Sequence, residues 1–259
     1  MLPFIQFFDF QISMFVIFQA IGALFGIFLM IFKRHKFGLD NTWDILQASA
    51  FALIGGAPGA VLINAIYVLI EEGVTNNVMP AIWQLNTWRY ALSQGNAFFG
   101  LLIGASIAVF IFAKVRRLPV GKLAGVLTYL VASGTVLGRL GCYFNGCCYG
   151  ITLLSGVQFP SQLAETGYAV LILSLFLTAR FERKNPDMMF PLFVILYSAG
   201  RLVFEFFRAD TVRVGLVSMS QWVALLLIIG CVVWLVKTLR KPTPSVCEEQ
   251  KTMEQKESK

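Results

Sequence analysis

Charged side chains are scarce in this sequence. They make up 14% of the 259 residues, whereas 57% of the residues are hydrophobic and the mean hydropathy is +0.72. Since soluble domains carry about 25% charged residues, the composition excludes an ordinary water-soluble protein. Basic residues are also missing before Lys33, so the first apolar segment lacks the basic front of a signal peptide and is expected to remain as a helix. No internal repeat or polar linker divides the chain, which predicts a single domain.

Long apolar runs take the place of the missing charge. A transmembrane helix needs about 20 predominantly apolar residues, and seven stretches meet this requirement: 11–32, 46–70, 97–114, 120–140, 162–180, 189–207 and 219–237. The strands of a membrane barrel would instead appear as short alternating segments. The sequence therefore predicts an all-α, polytopic membrane protein with about seven transmembrane helices in one domain, residues 1–240. Residues 241–259 are polar and free of aromatics, and we expect a disordered cytoplasmic tail there.

Basic residues are distributed unevenly between the two sets of connections. Thirteen lie at helix ends that would share one side of the membrane, and three lie in the opposite connections. Because positively charged residues stay cytoplasmic, we expect the N-terminus outside and the C-terminus inside. The net charge of +7 is explained by this topology and gives little support for a nucleic-acid partner.

Ionisable residues occur inside the apolar segments, in the half of the membrane predicted to face outward. They are Arg139, Glu165, Arg201 and Glu205, and an ionised side chain at bilayer depth costs about 2.5–3.5 kcal/mol. Arg201 and Glu205 are spaced i, i+4 and share one helix face, with Arg208 one further turn along. One interpretation is structural ion pairing, Arg201 with Glu205 and Arg139 with Glu165. The other is a binding site, because two guanidinium groups can hold the phosphate of a phospholipid headgroup.

A glycine-rich stretch, GRLGCYFNGCCYG at positions 138–150, surrounds Arg139. Glycine lets the backbone approach a ligand or a neighbouring helix closely. The glycines therefore favour either a ligand site or tight helix packing, and both interpretations stay open here.

Four motifs resemble those of the prolipoprotein diacylglyceryl transferases of bacteria. The stretch 138–150 is similar to the family signature GRxGNFxNGExxG, and PSQLAE at 160–165 is similar to PSQLYE. YSAGRLVFEFFR at 197–208 resembles YGxxRxxxEFFR, and LLIG at 101–104 resembles GLIG. These matches run in order through most of the chain, and the seven-helix, N-out topology of the family agrees with the topology expected above.

The resemblance implies a multi-pass transferase of the bacterial inner membrane with its active site toward the outer leaflet. Such an enzyme moves diacylglycerol from the membrane lipid phosphatidylglycerol to the lipobox cysteine of a preprolipoprotein signal peptide, forming a thioether and releasing glycerol phosphate. The resemblance implies catalytic roles for Arg139, Arg201 and Glu205, and it calls for no metal or other cofactor. Guanidinium groups would stabilise charge on the leaving phosphate and favour the thiolate of the acceptor. Six further residues are expected to bind substrate: Gly138, Asn145, Gly146, Gln162, Glu165 and Arg208.

The sequence departs from the family pattern at four positions. Phe99 stands in place of the family histidine, and Ala57 in place of an arginine in the second segment. Cys142 and Cys147 replace the asparagine and the glutamate of the signature. The only histidine in the sequence, His35, is predicted to be cytoplasmic, so activation of the acceptor thiol falls to one of the two carboxylates or to the field of the arginines.

Two alternative functions stay open. One is a family paralogue with a different acceptor. The other is a non-catalytic lipid or anion transporter that uses the same arginine pair as a substrate clamp. An assay of the purified protein distinguishes a transferase from a transporter, because a transferase releases glycerol phosphate and a transporter only moves its substrate.

Three of the five cysteines lie together on the predicted outer side: Cys142, Cys147 and Cys148. They are packing residues at a helix end, or they form a disulfide in an oxidising environment, or they bind metal or carry redox or covalent chemistry. The C-x4-C-C spacing lacks the paired cysteines of a zinc site and has no nearby histidine. No function is assigned to Cys231 or Cys247.

Overall fold

The computed structural model describes residues 4–7, 10–75, 97–153, 156–179, 185–209, 213–214 and 217–239. Within these ranges seven helical segments are long and apolar enough to cross a membrane. This confirms the predicted all-α, polytopic membrane class. The predicted tail, residues 241–259, lies outside the described residues.

The helices follow the predicted apolar stretches closely. Their bounds are α1 Met14–Lys33, α2 Thr42–Thr75, α3 Ala97–Val115, α4 Val120–Asn145, α5 Ser161–Thr178, α6 Met189–Phe204 and α7 Met219–Leu239. Short 3-10 turns are formed by Arg34–Phe37, Pro186–Met188 and Glu205–Phe207.

Two antiparallel hairpins accompany the helices. Strand β1, Phe4–Phe7, pairs with β2, Phe10–Ser13, and strand β3, Arg213–Val214, pairs with β4, Val217–Ser218. The first helix therefore begins at Met14, later than the predicted residue 11, because the chain before it is paired as a strand. The Ser13 hydroxyl caps α1 by accepting the backbone N–H of Phe15 at 3.2 Å.

Helix α4 is the most buried of the seven spans and packs along α1 and against α5. Polar side chains of α4 form hydrogen bonds within the helix, since Thr128 donates to the Ala124 carbonyl and Thr135 donates to the Val131 carbonyl. The Ser133 hydroxyl also reaches across to the Gly22 carbonyl of α1 at 2.9 Å. These contacts help to hold the C-terminal half of α4, which carries Arg139, between its neighbours.

Helices α2 and α3 touch backbone to backbone. A Cβ atom at Gly100 would lie 2.4 Å from the Gly59 carbonyl oxygen, and one at Gly104 would lie 2.4 Å from that of Gly55. Gly55 and Gly59, on either side of Pro58, therefore allow the close packing of α2 against α3. The close approach fixes α3, whose first turn places Phe99 in the core.

Candidate functional site

Five ionisable side chains meet where α4, α5 and α6 converge. We call them the arginine cluster: Arg139 from α4, Glu165 from α5, Arg201 from α6, Glu205 from the following 3-10 turn, and Arg208 just beyond it. The side chain of Arg139 is 11% exposed and the other four are less exposed than that. Buried charges persist only when they are paired, so the geometry of the pairing defines the site.

Glu165 is the centre of the cluster. Its Oε2 atom lies 3.0 Å from Nη2 of Arg139 and 3.5 Å from Nη1 of Arg201. Its Oε1 atom lies 4.0 Å from Nη1 of Arg208. Three guanidinium groups from two helices and a loop therefore converge on one carboxylate, which is the arrangement of an anion-binding site.

Glu205 anchors the other side of Arg201. Its Oε2 atom lies 2.8 Å from Nη2 of Arg201, the predicted i, i+4 pair. Its Oε1 atom accepts the hydroxyl of Ser218 at 2.8 Å and also the hydroxyl of Ser220. Ser218 immediately precedes the last helix and Ser220 lies in its first turn; neither was among the predicted site residues. With Oε2 paired with Arg201 and Oε1 accepting two hydroxyls, Glu205 is positioned to orient Arg201.

A capping box positions these serines. The Ser218 backbone N–H donates to the Gln221 side chain at 2.9 Å, and the Gln221 backbone N–H donates to the Ser218 hydroxyl at 3.2 Å. This reciprocal pair satisfies the first turn of α7. The Gln221 amide also donates to the Leu202 carbonyl of α6 at 3.2 Å. The sequence SMSQ carries the S-x-x-Q pattern of a capping box, so this part of the site could have been found from the sequence.

Arg208 does not continue the helical face of Arg201, so the predicted further turn of helix is wrong. Helix α6 ends at Phe204, and Arg208 forms an isolated β-bridge with Gly150. The backbone N–H of Ile151 donates to the Phe207 carbonyl at 2.9 Å. Pairing with the segment around Gly150 takes the place of a further helical turn. Arg208 therefore approaches Glu165 from an extended segment and not from the helix.

Helix α4 ends in a Schellman turn inside the glycine-rich stretch. Gly146 adopts a left-handed φ of 70° and donates its N–H to the Tyr143 carbonyl, while the Cys147 N–H donates to the Cys142 carbonyl. A left-handed residue at this position is usually glycine. Gly146 therefore has a clear structural role, and the chain reverses here toward α5.

Four of the predicted substrate-binding residues make their contacts outside the arginine cluster. Asn145 accepts the hydroxyl of Ser13 at 2.7 Å, and a Cβ at Gly138 would lie 2.5 Å from the amide oxygen of Gln19. Gln162 donates to the Cys147 carbonyl at 2.8 Å. Together with Gly146, these residues support the turn and the α1 contact, whereas Glu165 and Arg208 reach the cluster itself.

The cleft beside the cluster is almost closed. It is lined by Thr135, Tyr168, Tyr197, Gly200 and members of the cluster, and its volume is about 10 Å³. A cavity of about 10–15 Å³ holds a single water molecule. The space beside the paired side chains is therefore too small for a phosphate group.

Comparison with known proteins identifies the family. A family model described as prolipoprotein diacylglyceryl transferase matches residues 3–237. The chain belongs to this family. Proteins named phosphatidylglycerol–prolipoprotein diacylglyceryl transferase are similar to it, one from Clostridium tetani at 28% identity over 86% of this chain and 92% of the relative. Another, from Dehalococcoides mccartyi strain 195, is 29% identical over 87% and 88%, and one from Chlorobaculum tepidum is 27% identical over 78% of each chain.

Family membership confirms the resemblance drawn from the four motifs, and the seven spans make this transferase-family chain a multi-pass membrane protein. At the position where the resemblance expects a histidine, Phe99 is buried against Tyr197, with ring centroids 6.1 Å apart. The Tyr197 hydroxyl accepts Nη2 of Arg139 at 3.4 Å. Phe99 is thus an apolar residue that is separated from the cluster by Tyr197. The sequence analysis did not single out Tyr197 as a site residue.

The three clustered cysteines of this family member are thiols, and their sulfur atoms all lie within 4.8 Å of one another. Cys142 and Cys148 are buried, whereas Cys147 is partly exposed. Hydrogen bonds from the Cys142 and Cys147 thiols lower the pKa of Cys148, and the positive charges of Arg208 and Arg139 act in the same direction. The cysteines therefore lie beside the arginine cluster without belonging to its ion pairs.

Proposed function

We propose that this protein transfers diacylglycerol from phosphatidylglycerol to the lipobox cysteine of a preprolipoprotein and releases glycerol phosphate. Its membership in the transferase family supports the reaction class, and relatives that align over most of their length carry that activity in their names. The observation that carries the proposal is the carboxylate of Glu165, which has guanidinium nitrogens of three arginines within 4.0 Å.

The position of Glu165 suggests where a substrate phosphate binds. An anion at this point receives charge-assisted hydrogen bonds from guanidinium groups. A phosphodiester oxygen that displaces Glu165 would meet the same donors of Arg139 and Arg201. As the ester bond breaks, negative charge grows on the departing phosphate, and preorganised donors stabilise that charge more strongly than they stabilise the ground state.

The transfer step follows from this arrangement. The acceptor sulfur, as thiolate, attacks the phosphate-bearing carbon of the diacylglyceryl group, so that a C–S bond forms and the bond from that carbon to the phosphate oxygen breaks. The bonding electron pair leaves with the phosphate oxygen. The thiol gives up its proton to water, so that the products are the thioether, the glycerol phosphate dianion and one proton. A positive field next to the thiol favours the thiolate. Because both oxygens of Glu205 are already engaged, we assign it to the orientation of Arg201.

A reconstituted assay tests the function. Purified protein, phosphatidylglycerol and a lipobox peptide should yield a peptide whose mass has increased by one diacylglyceryl group, with one glycerol phosphate released for each peptide modified. A peptide with Ser in place of the lipobox Cys is the matched control. Phosphatidylglycerol movement across vesicles without glycerol phosphate would support the transporter instead. Glycerol phosphate release without modification of the peptide would indicate another acceptor.

We also propose an N-out, C-in orientation in the bacterial inner membrane, with the arginine cluster toward the outer leaflet. The proposal rests on the thirteen basic residues at one set of helix ends against three at the other. A membrane-impermeant maleimide added to intact spheroplasts should label Val157→Cys, whose native side chain is 62% exposed, above the level of the native protein. It should label Asn41→Cys only after lysis. The opposite pattern would invert the orientation.

A further inference from the structure

The three thiols at the end of α4 are brought together by two separate features of the backbone. The Schellman turn joins Cys142 and Cys147, since the N–H of Cys147 bonds to the Cys142 carbonyl at 3.2 Å, and a side-chain contact between these two positions is common in such turns. The third sulfur requires more. Cys148 has a φ of 62°, a left-handed conformation that residues other than glycine seldom adopt. In this conformation its sulfur lies within 4.8 Å of the other two.

The neighbouring helix holds the backbone of this turn in place. The Gln162 amide donates to the Cys147 carbonyl at 2.8 Å, and the Ser161 hydroxyl donates to the Cys148 carbonyl at 2.9 Å. Both donors belong to the first turn of α5. A set of ligands that is fixed by surrounding hydrogen bonds loses little freedom when it binds an ion.

We propose that Cys142, Cys147 and Cys148 form a three-thiolate binding site for a soft monovalent cation of the Cu(I) class. Thiolate sulfur selects Cu(I) and zinc over hard cations. With a metal–sulfur bond of about 2.3 Å, three sulfurs around one ion in a plane lie about 4 Å apart. The observed limit of 4.8 Å is close enough for small side-chain rotations to complete the site.

The ligand count separates Cu(I) from zinc. A structural zinc site takes four ligands, usually Cys or His. The Ser13–Asn145 contact places the N-terminal end of α1 near the end of α4 that carries the cysteines. The only histidine of the chain, His35, follows the opposite, C-terminal end of α1. The carboxylate of Glu165 is held by Arg139 at 3.0 Å. Among the described residues the cluster therefore offers three sulfurs, which suits an ion that takes three soft ligands.

Charge and access also fit a bound cation. Three thiolates around one monovalent ion carry net negative charge, and both Arg139 and Arg208 interact electrostatically with Cys148. These guanidinium groups offset that charge where water is scarce. Cys147 is the partly exposed member of the group, so an ion can enter from its side and reach the two buried sulfurs.

Copper transfer to the full-length protein tests the site. Metal-free protein, purified in detergent under anaerobic reducing conditions, is titrated with the coloured Cu(I)–bicinchoninate complex. We expect one equivalent of Cu(I) to move to the protein. Each of Cys142→Ser, Cys147→Ser and Cys148→Ser should weaken the Cu(I) affinity by on the order of 10²-fold or more, since each removes one of three ligands. The double variant with Cys231→Ser and Cys247→Ser is the matched control and should bind as the native protein does.

X-ray absorption at the copper edge provides a readout on the unaltered protein. The proposal requires three sulfur neighbours at about 2.3 Å, and it requires Cu(I) to remain bound in the presence of equimolar Zn(II). It is overturned by two-sulfur coordination, by preferential Zn(II) binding, by affinity that survives all three Cys→Ser changes, or by a native disulfide that leaves one titratable thiol among the three. These results are independent of the transferase assay, so failure of either proposal can be recognised without the other.

Discussion

Arg139→Ala and Arg201→Ala should each lower the turnover number for diacylglyceryl transfer by on the order of 10²–10³-fold, the range found when one donor is removed from a preorganised oxyanion site. Both guanidinium groups contact Glu165, with nitrogen–oxygen distances of 3.0 and 3.5 Å. If a phosphate takes the place of that carboxylate, each arginine stabilises the charge that develops as the phosphate leaves. Arg139→Lys and Arg201→Lys should also be strongly impaired, because lysine keeps the charge but loses the planar fork.

Folding must be measured alongside turnover for these variants. Removing one member of a buried ion pair typically destabilises a protein by about 3–5 kcal/mol, and Arg201 contacts both Glu165 and Glu205. Thermal unfolding in detergent therefore accompanies every kinetic measurement. Arg116→Ala is the matched control, since it removes the arginine of an exposed pair with Asp44 outside the cluster. Normal turnover of both cluster Ala variants would show that the arginines are only structural.

Glu205→Gln should reduce the turnover number by about 10–100-fold, by analogy with the loss of a partner that orients a functional group. Glutamine keeps one acceptor oxygen for Ser218 and Ser220, but its amide NH2 faces the guanidinium of Arg201, where both groups are donors. The misplaced Arg201 then binds the phosphate less well. If the field of the arginines activates the acceptor thiol, as proposed, the shape of the pH–rate profile should be retained.

Ser220→Ala is the companion variant. It removes one hydroxyl from Glu205 while the Ser218 hydroxyl remains at 2.8 Å, so we expect a smaller loss of turnover than for Glu205→Gln and the same pH profile. A Glu205→Gln protein that is folded, has no measurable turnover and has lost the acidic limb of the pH profile would identify Glu205 as the general base. The assignment of Glu205 to the orientation of Arg201 would then be wrong.

The membrane spans could be predicted from the sequence because a chain that crosses lipid must satisfy its backbone internally, which leaves few alternatives to a helix of apolar residues. The same reasoning located the ends less well. The apolar run continues through Phe207, yet α6 stops at Phe204 because the chain pairs with residues around Gly150. An interaction between distant segments decides that boundary, and hydropathy does not record it.

Local spacing also explains which parts of the site could be found from the sequence. The pair Arg201–Glu205 follows from i, i+4 geometry within one helix. Convergence of three arginines on Glu165 depends on how α4, α5 and α6 are rotated about their axes, and no single segment encodes that rotation. Ser218 and Ser220 lie between these cases, since the capping box that places them is visible as S-x-x-Q although its contact with Glu205 is not.

Glu165 also bears on how quickly a reaction product can leave. Because it is attached to α5, its carboxylate is present at a high effective concentration beside Arg139 and Arg201, and it competes with any phosphate bound there. In the proposed reaction this competition would weaken the binding of phosphatidylglycerol at the cluster. The same competition would act on glycerol phosphate after the transfer, and return of Glu165 to the arginines would help to expel it. An intramolecular competitor of this kind would lower the affinity for the substrate and raise the rate of product release.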